Sequence, residues 1–422
     1  MAREMKDSGI EWIGEIPEKW EVVKTKTIFK NLKRIVGEKE TEYERLALTL
    51  KGVIKRDKND SKGLQSEKFS TYQIVNQDEL VFKMIDLENV STSRVGYSNY
   101  TGIVSPVYII LNNKKYSRYG YYYFYDMWQR KIFNSLGNTA VRSSLNSTDM
   151  LNIPFLKISL EEQEKIASYL DKKISEIDLI IEKTKATIED YKKYKQSVIT
   201  EAVTKGINPN VKMKDSEIEW IGEIPKHWKI FPIKYILKWK SEKNYPNEIV
   251  LSLYRDYGII PKDSRNDNHN VTSEDTASYK FVEVGDFVIN KMKAWQGSMA
   301  VSDYQGIVSP AYHVCSFKTN ELNKKYFHYL LRNQLYLPEF RRLSTGLRIG
   351  QWDLGFEDFK KLPYLFPPLE EQNQIVEYID KKISEVDALI TKKEALIKEL
   401  EEYKKSLIYE CVTGKKEVTT NV

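Results

Sequence analysis

"DSGIEWIGEIPEKW" occupies Asp7–Trp20, and "DSEIEWIGEIPKHW" occupies Asp215–Trp228. Eleven of the fourteen positions are identical, at a shift of 208 in a chain of 422 residues. The echo continues in order along the chain. "TGIVSPVYII" (Thr101–Ile110) returns as "QGIVSPAYHV" (Gln305–Val314), and "NIPFL" (Asn152–Leu156) as "KLPYL" (Lys361–Leu365). "LEEQEKIASYLDKKISEIDLII" (Leu160–Ile181) returns as "LEEQNQIVEYIDKKISEVDALI" (Leu369–Ile390), and "SVITEAVTKG" (Ser197–Gly206) as "SLIYECVTGK" (Ser406–Lys415). The shift stays between 204 and 209. Solenoid repeats run to only some tens of residues. This period therefore means two copies of a domain-sized unit, in keeping with a chain too long for one ordinary core.

The copies diverge unevenly. Their ends match closely, but between about Val22 and Gly96, and Ile230 and Val301, little but pattern survives. "DELVFKM" (Asp78–Met84) against "DFVINKM" (Asp286–Met292), a shift of 208, is one thread through that region. A shared frame around a private insert suggests one assembly task and two recognition tasks.

The frame is a long helix. Gly and Pro vanish from Leu160 to Lys205, and Ser159 with Glu161 and Glu162 reads as an N-cap, acidic first turn and capping box. Pro368 fills the equivalent place in the second copy. The apolar stripe steps by three and four through Leu170, Ile174, Ile177, Ile181, Thr184, Ile188, Tyr191, Lys195, Val198 and Ala202. The second runs Ile379, Ile383, Val386, Ile390, Lys393, Ile397, Leu400, Lys404, Leu407 and Cys411. Such a heptad seam outlasts any one domain face and argues that the two helices pair as a coiled coil, with the seam lysines fixing register. With "GINPNVKMKD" (Gly206–Asp215) as the break between copies, antiparallel pairing about a pseudo-twofold axis is the simplest solution.

Before each helix lie some 150 residues of mixed α/β character. "GIVSPVYIIL" reads as a strand. "YYYFYDMWQRKIFNSL" (Tyr121–Leu136) and "KYFHYLLRNQLYLPEF" (Lys325–Phe340) read as helices with a buried aromatic face. The loops are rich in Ser, Thr, Asn, Arg, Gln and Lys at matching places in both copies. These residue types contact base edges and phosphates. Candidate DNA contacts are Lys83, Ser91, Thr92, Arg94, Asn138 and Arg142 in the first copy, and Lys291, Lys293, Gln296, Ser298, Arg348 and Gln351 in the second. Trp295 and Trp352 fit either that surface or the core.

A net charge of +6, from 66 basic and 60 acidic residues, suits a nucleic-acid binder only if the basic residues gather on one face. Two distant cysteines, Cys315 and Cys411, and four scattered histidines argue against a disulfide framework or a metal site, so no metal is expected. The start "MAREMKDSG" lacks the apolar core of a signal peptide, and no long apolar run follows; the expectation is a cytoplasmic protein without a membrane partner. There is no phosphate loop, G-x-G-x-x-G turn or H-E-x-x-H. "NIPF" at Asn152–Phe155 is similar to the Asn-Pro-Pro-Phe/Tyr motif of DNA amino-methyltransferases, but Ile153 replaces its first proline and the second copy has Lys361 for the Asn. The expectation is a chain that is not itself an enzyme.

The doubled "IEWIGEIP..W", "GIVSP" and "LEEQ..I" resemble, over essentially the whole chain, the DNA-specificity subunits of type I restriction–modification systems. The resemblance implies an α+β fold, with two similar α/β target-recognition domains joined by two long helices in an antiparallel coiled coil. The expected bounds are 1–158 for the first domain, 159–205 for its helix, 206–214 for the linker, 215–367 for the second domain, 368–415 for its helix and 416–422 for a tail. It also implies double-stranded DNA as ligand, with each domain reading half of a bipartite target, and two methyltransferase subunits with motor-nuclease subunits as partners. S-adenosylmethionine, ATP and Mg would be bound by those partners, and no cofactor by this chain. The repeated phrase, through Trp12, Ile16, Pro17 and Trp20 and through Trp220, Ile224, Pro225 and Trp228, is expected to seat each domain on the helices. Rival readings are a methyltransferase-sequestering decoy, opposed by the positive net charge, and a fused methyltransferase, opposed by the missing motifs.

Overall fold

A computed structural model describes residues 3–57, 69–113, 115–136, 143–255, 257–265, 276–346 and 352–419. The chain divides into two units, 1–184 with 394–422, and 185–393. Each unit therefore contains one globular domain, the first half of the long helix that follows it, and the second half of the other long helix.

In the first unit, Leu80–Phe82 sits between Ile109–Asn112 and Val95–Tyr97, with Lys30–Asn31 at the far edge. The pairing is antiparallel, with Leu80 opposite Tyr97 and Phe82 opposite Val95. A second four-stranded sheet runs Gly52–Arg56, Arg45–Thr49, Gly102–Val104, Gln73–Val75. On the first sheet lies the helix Ser117–Gln129, which buries Tyr119, Tyr123, Phe124 and Met127. Its rings meet Phe29, Phe82 and Phe155 edge-on, with Phe82 and Phe124 centroids 5.2 Å apart and Tyr123 and Phe155 4.9 Å apart, the arrangement that aromatic quadrupoles favour. The aromatic helix is shorter than its sequence suggests. It stops at Gln129, Lys131 takes φ 59°, and a separate turn covers Ile132–Leu136.

The second unit repeats the plan. Phe287–Asn290 lies between Tyr312–Phe317 and Met299–Val301, with Leu237–Lys240 at the edge. Phe287 faces Val301 and Ile289 faces Met299. The counterpart of the other sheet is two antiparallel ribbons, Leu251–Tyr254 with Gly258–Pro261 and Lys280–Val282 with Gly306–Val308. The helical stretch is again broken, into Lys324–Leu331 and Leu337–Leu343.

The register corrects the sequence alignment of the inserts. Leu80 corresponds to Phe287, a shift of 207 rather than 208. The turn before each strand makes this plain. Asp78 and Gly285 both take positive φ, 69° and 88°. Glu79 and Asp286 are both buried. Each carboxylate accepts from the amide three residues back, Asn76 N at 2.8 Å and Glu283 N at 3.0 Å. Each is neutralised by a cation, Arg34 in the first unit and Lys240, at 3.0 Å, in the second.

The repeated phrase seats each domain. Ile13, Ile16 and Trp20, and Ile224 and Trp228, are fully or almost fully buried. In the first unit Trp20 Nε1 donates to Glu162 Oε2 at 2.9 Å, at the start of the first long helix (Leu160–Lys205). Gly414, just past the end of the second long helix (Leu369–Val412), lies so close to Pro17 and Trp20 that a Cβ would stand 2.5 Å and 2.8 Å from them. In the second unit Gly206 packs on Trp228 and Pro225 beside Glu371. Both glycines terminate their helices at φ near 75°, the left-handed stop that a side chain resists. Glu162 takes Trp20 and Arg3 as partners, so the expected capping box is half formed: Ser159 Oγ accepts from Glu162 N at 3.3 Å. The neighbouring Gln163 and Gln372 are buried staples, donating to Ile158 O at 3.1 Å and Pro367 O at 2.9 Å.

The long helices run antiparallel within each unit. In the first, Leu170, Ile177, Ile181 and Thr184 are buried, as are Leu407 and Cys411; Ile174 and Ile397 are half-buried. In the second, Ile188, Val198, Ala202, Ile379 and Val386 are buried, with Ile383 and Ile390 half-buried. Two of the three seam lysines reach across to an aspartate: Lys404 to Asp178 at 2.6 Å in the first unit, and Lys195 to Asp387 at 2.8 Å in the second. Each domain clasps its helices alike. Tyr119 OH donates to Val412 O at 2.9 Å and Tyr326 OH to Val203 O at 3.0 Å. Arg118 and Tyr122 hold Asp171, as Lys325 and Tyr329 hold Asp380. No described helix is long and apolar enough to cross a membrane.

Candidate nucleic-acid interface

The frames share their helix clasp and lysine–aspartate bridge, but the hairpin tips differ. In the first unit the tip joins Leu80–Phe82 to Val95–Tyr97, and its inner residue is Arg94. Arg94 is fully buried. Its guanidinium donates to Thr92 Oγ1 at 2.8 Å, to Asp86 O at 2.6 Å, and to Asn89 O. Burial pulls its pKa down, with Asp86 opposing. The side chain organises the loop and has no surface to offer a duplex, which corrects its reading as a DNA contact. Lys83 is half-buried, 3.4 Å from Thr92 Oγ1; burial, then the Arg94 charge, lowers its pKa. Ser91 is exposed, and its amide donates to Asn89 Oδ1 at 2.9 Å. The tip also presents Ile85, Glu88 and Val90 to solvent. The loop is anchored by Leu145 N, which donates to Met84 O at 3.0 Å.

In the second unit the tip is shorter and pinned by indoles. Trp295 meets Trp352 edge to face, with centroids 5.1 Å apart, and Arg341 lies 5.7 Å above the Trp295 ring. Both Trp rings are half-buried. Lys291 is held by Asp353 at 3.0 Å, and its carbonyl accepts from Leu354 N at 3.0 Å. Lys293 and Gln296 are exposed, as is Met292. Ser298 is buried and its amide and carbonyl serve the turn, so its reading as a DNA contact is corrected too. Asn138, Arg142, Arg348 and Gln351 lie outside the described residues.

The candidate contacts fall partly on buried pillars, Arg94 and Ser298, and partly on exposed positions, Ser91, Lys293 and Gln296. Met292, Arg341, Glu88 and Val90 are further exposed residues at the tips. Their signal is positional: each lies on or beside the turn between two paired strands. Among the described residues no group of three or more His, Cys, Asp or Glu is placed to hold a metal ion. Cys315 and Cys411 are buried, and burial pushes both thiols up, Cys411 to about 12.

Residues 225–401 match the type I restriction modification DNA specificity domain. Over most of its length the chain is similar to type I DNA-specificity subunits. It is 24% identical over 427 residues to the type I restriction enzyme MjaVIII specificity subunit of Methanocaldococcus jannaschii, covering 95% of this chain and 93% of that one. A candidate specificity subunit of the MjaX enzyme of the same organism is also 24% identical, over 435 residues, covering 97% and 96%. The fold is shared with a chain of a type I R-M system, at TM-score 0.69 and 13% identity over 95% of this chain and 99% of that one. It is also shared with the HsdS subunit of Thermoanaerobacter tengcongensis, at TM-score 0.53 and 13% identity over 95% and 98%. The family match covers most of the second domain and most of the second long helix. The internal repeat extends the same frame to the first half.

Proposed function

We propose that this chain is the DNA-reading subunit of a type I restriction–modification complex. Each domain reads one half of a bipartite target in double-stranded DNA, and the paired helices set the spacing between the halves. The observation that carries this is the contrast within the chain. Two units repeat the same seating, the same helix clasp and the same lysine–aspartate bridge, yet hold unlike hairpin tips. Two like frames fit two copies of one partner, the methyltransferase subunit, through which the motor-nuclease subunits join. S-adenosylmethionine, ATP and Mg are then held by those partners, and the chain itself supplies positioning rather than catalysis. The domain bounds expected from the sequence serve as the working division, 1–158 and 215–367 for the two readers and 159–205 and 368–415 for the helices.

The test is to purify the chain with its cognate methyltransferase and to measure the mass of the complex and the positions of N6-methyladenine in DNA. One chain to two methyltransferases, and a split methylated sequence, are expected. A one-to-one complex of full activity would count against two equivalent frames.

A further inference from the structure

The turn Asn290–Ser298 is built like a reading head. Its backbone is closed on itself: Lys293 N donates to Asn290 O at 3.0 Å, Gln296 N to Lys293 O at 3.0 Å, Gly297 N to Ala294 O at 2.7 Å, and Asn290 N to Ser298 O at 3.0 Å. The Asn290 side chain caps Met292 N at 3.2 Å, and Trp295 Nε1 donates to Met292 O at 3.2 Å. Gly297 sits at φ 81°, where a Cβ would stand 2.8 Å from Leu337. Ala294 is fully buried. Buried Ala294 below, the Trp295–Trp352 pair at the side and Leu337 behind leave the turn little freedom. Yet Lys293 and Gln296 point away from the core, and among the described residues no hydrogen-bond or ion-pair partner engages either side chain. Rigid backbone with unpaired polar heads is the economy of a recognition element, because little ordering entropy remains to be lost on binding.

Resting on the functional reading above, we infer that Gln296 is a specificity-determining residue that reads an adenine in the half-site of the second domain, with Lys293 on a neighbouring phosphate. A carboxamide offers one donor and one acceptor in a plane, the complement of adenine N7 and N6 in the major groove. A two-stranded ribbon is the right width to enter that groove. The lysine is a point charge on a flexible stem, suited to a phosphate rather than to a planar base edge. The indoles and Lys291 act as positioning residues.

The full chain in its complex with the cognate methyltransferase is titrated with duplexes altered one base pair at a time, and methylated sites are mapped by sequencing. Gln296→Ala should lose about tenfold or more of its discrimination at one A·T pair, the scale of one bidentate contact, with the other half-site unchanged. Gln296→Glu should shift preference at that pair towards C·G, since a carboxylate accepts from cytosine N4. Lys293→Ala should weaken all duplexes alike and lower the slope of log K against log salt by about one. If both Gln296 variants kept the original discrimination at every pair of a clearly bipartite target, this assignment would be overturned and the functional reading would stand. If the unaltered complex showed no bipartite preference, the functional reading would fall first, and the assignment with it.

Discussion

Gly102 and Gly306 show at one atom why "GIVSP" occurs twice. Each amide that follows, Ile103 N and Ile307 N, donates at 2.8 Å to a carbonyl on a neighbouring segment, Glu44 O and Ile249 O. The glycines themselves press on those carbonyls: a Cβ would stand 2.5 Å from Glu44 O and 2.4 Å from Ile249 O. Backbone cannot yield as a side-chain tip can. Gly102→Ala and Gly306→Ala should each cost about 1–3 kcal/mol, the usual scale of forced overpacking, measured by urea unfolding. A loss below a few tenths would mean the strands part easily. Asp126 makes a second test. It is buried, with Arg130 Nε 3.2 Å away but poorly aligned for a hydrogen bond. Burial raises its pKa from 3.8 to about 6, with Arg130 and Lys415 opposing. The folded state thus binds this proton more tightly than the unfolded chain, so stability should fall as pH rises from about 4 through 6. The second unit has Asn333 at the equivalent place. Asp126→Asn should remove that slope; the parent-minus-variant difference in unfolding free energy should change by up to about 3 kcal/mol between pH 4 and 7.5, and a difference constant with pH would refute the burial. At this scale the sequence was only partly legible. The phrase residues Trp20 and Trp228 were placed correctly because repetition marks them. Arg94 was not, because its partners are loop carbonyls, which leave no trace in side-chain pattern.

The long helices were the most legible elements, since a heptad seam without Gly or Pro has one physical meaning. The aromatic helices were read too long, because the break at Lys131 is a backbone event at a residue with no breaking propensity. Within the seam, apolar burial should far outweigh the lysine–aspartate bridges. Leu407 is 1% exposed, and Leu407→Ala should cost about 2–4 kcal/mol for lost transfer and cavity. Lys404 and Asp178 remain partly solvated, at 21% and 53%, and Lys404→Ala should cost under about 1 kcal/mol. The bridges select register instead: a shift of either helix by one heptad leaves an apolar seam but separates lysine from aspartate. A double-mutant cycle on Lys404 and Asp178 checks the coupling directly. A coupling as large as the Leu407 effect would reverse the ranking of seam over bridge.

For the whole molecule, the duplication predicts what half of it can do. Asp387 and Lys404 stand 209 residues beyond Asp178 and Lys195. The observed bridges, Lys404 with Asp178 and Lys195 with Asp387, therefore translate into Lys195 of one first-half chain meeting Asp178 of another, twice over. A chain ending near Asn208 should form a symmetric dimer on that pattern. Supplied with the methyltransferase, it should methylate a palindrome built from the first half-site. The dimer should be weaker than the native arrangement, for an identifiable reason. In the first unit Tyr409 lies under Arg130, 4.2 Å from guanidinium to ring, and donates to Ile13 O at 3.2 Å. The first long helix has Thr200 at the matching position, where it can make neither contact. Thr200→Tyr in the half-length chain should restore both at each end and tighten the dimer about 25- to 100-fold, the worth of two partly desolvated cation–π contacts. Sedimentation equilibrium of the two half-length chains measures the change. A strictly monomeric half, or a tyrosine variant that dimerises no better, would show that the seating at the end of the helix is not interchangeable between the copies.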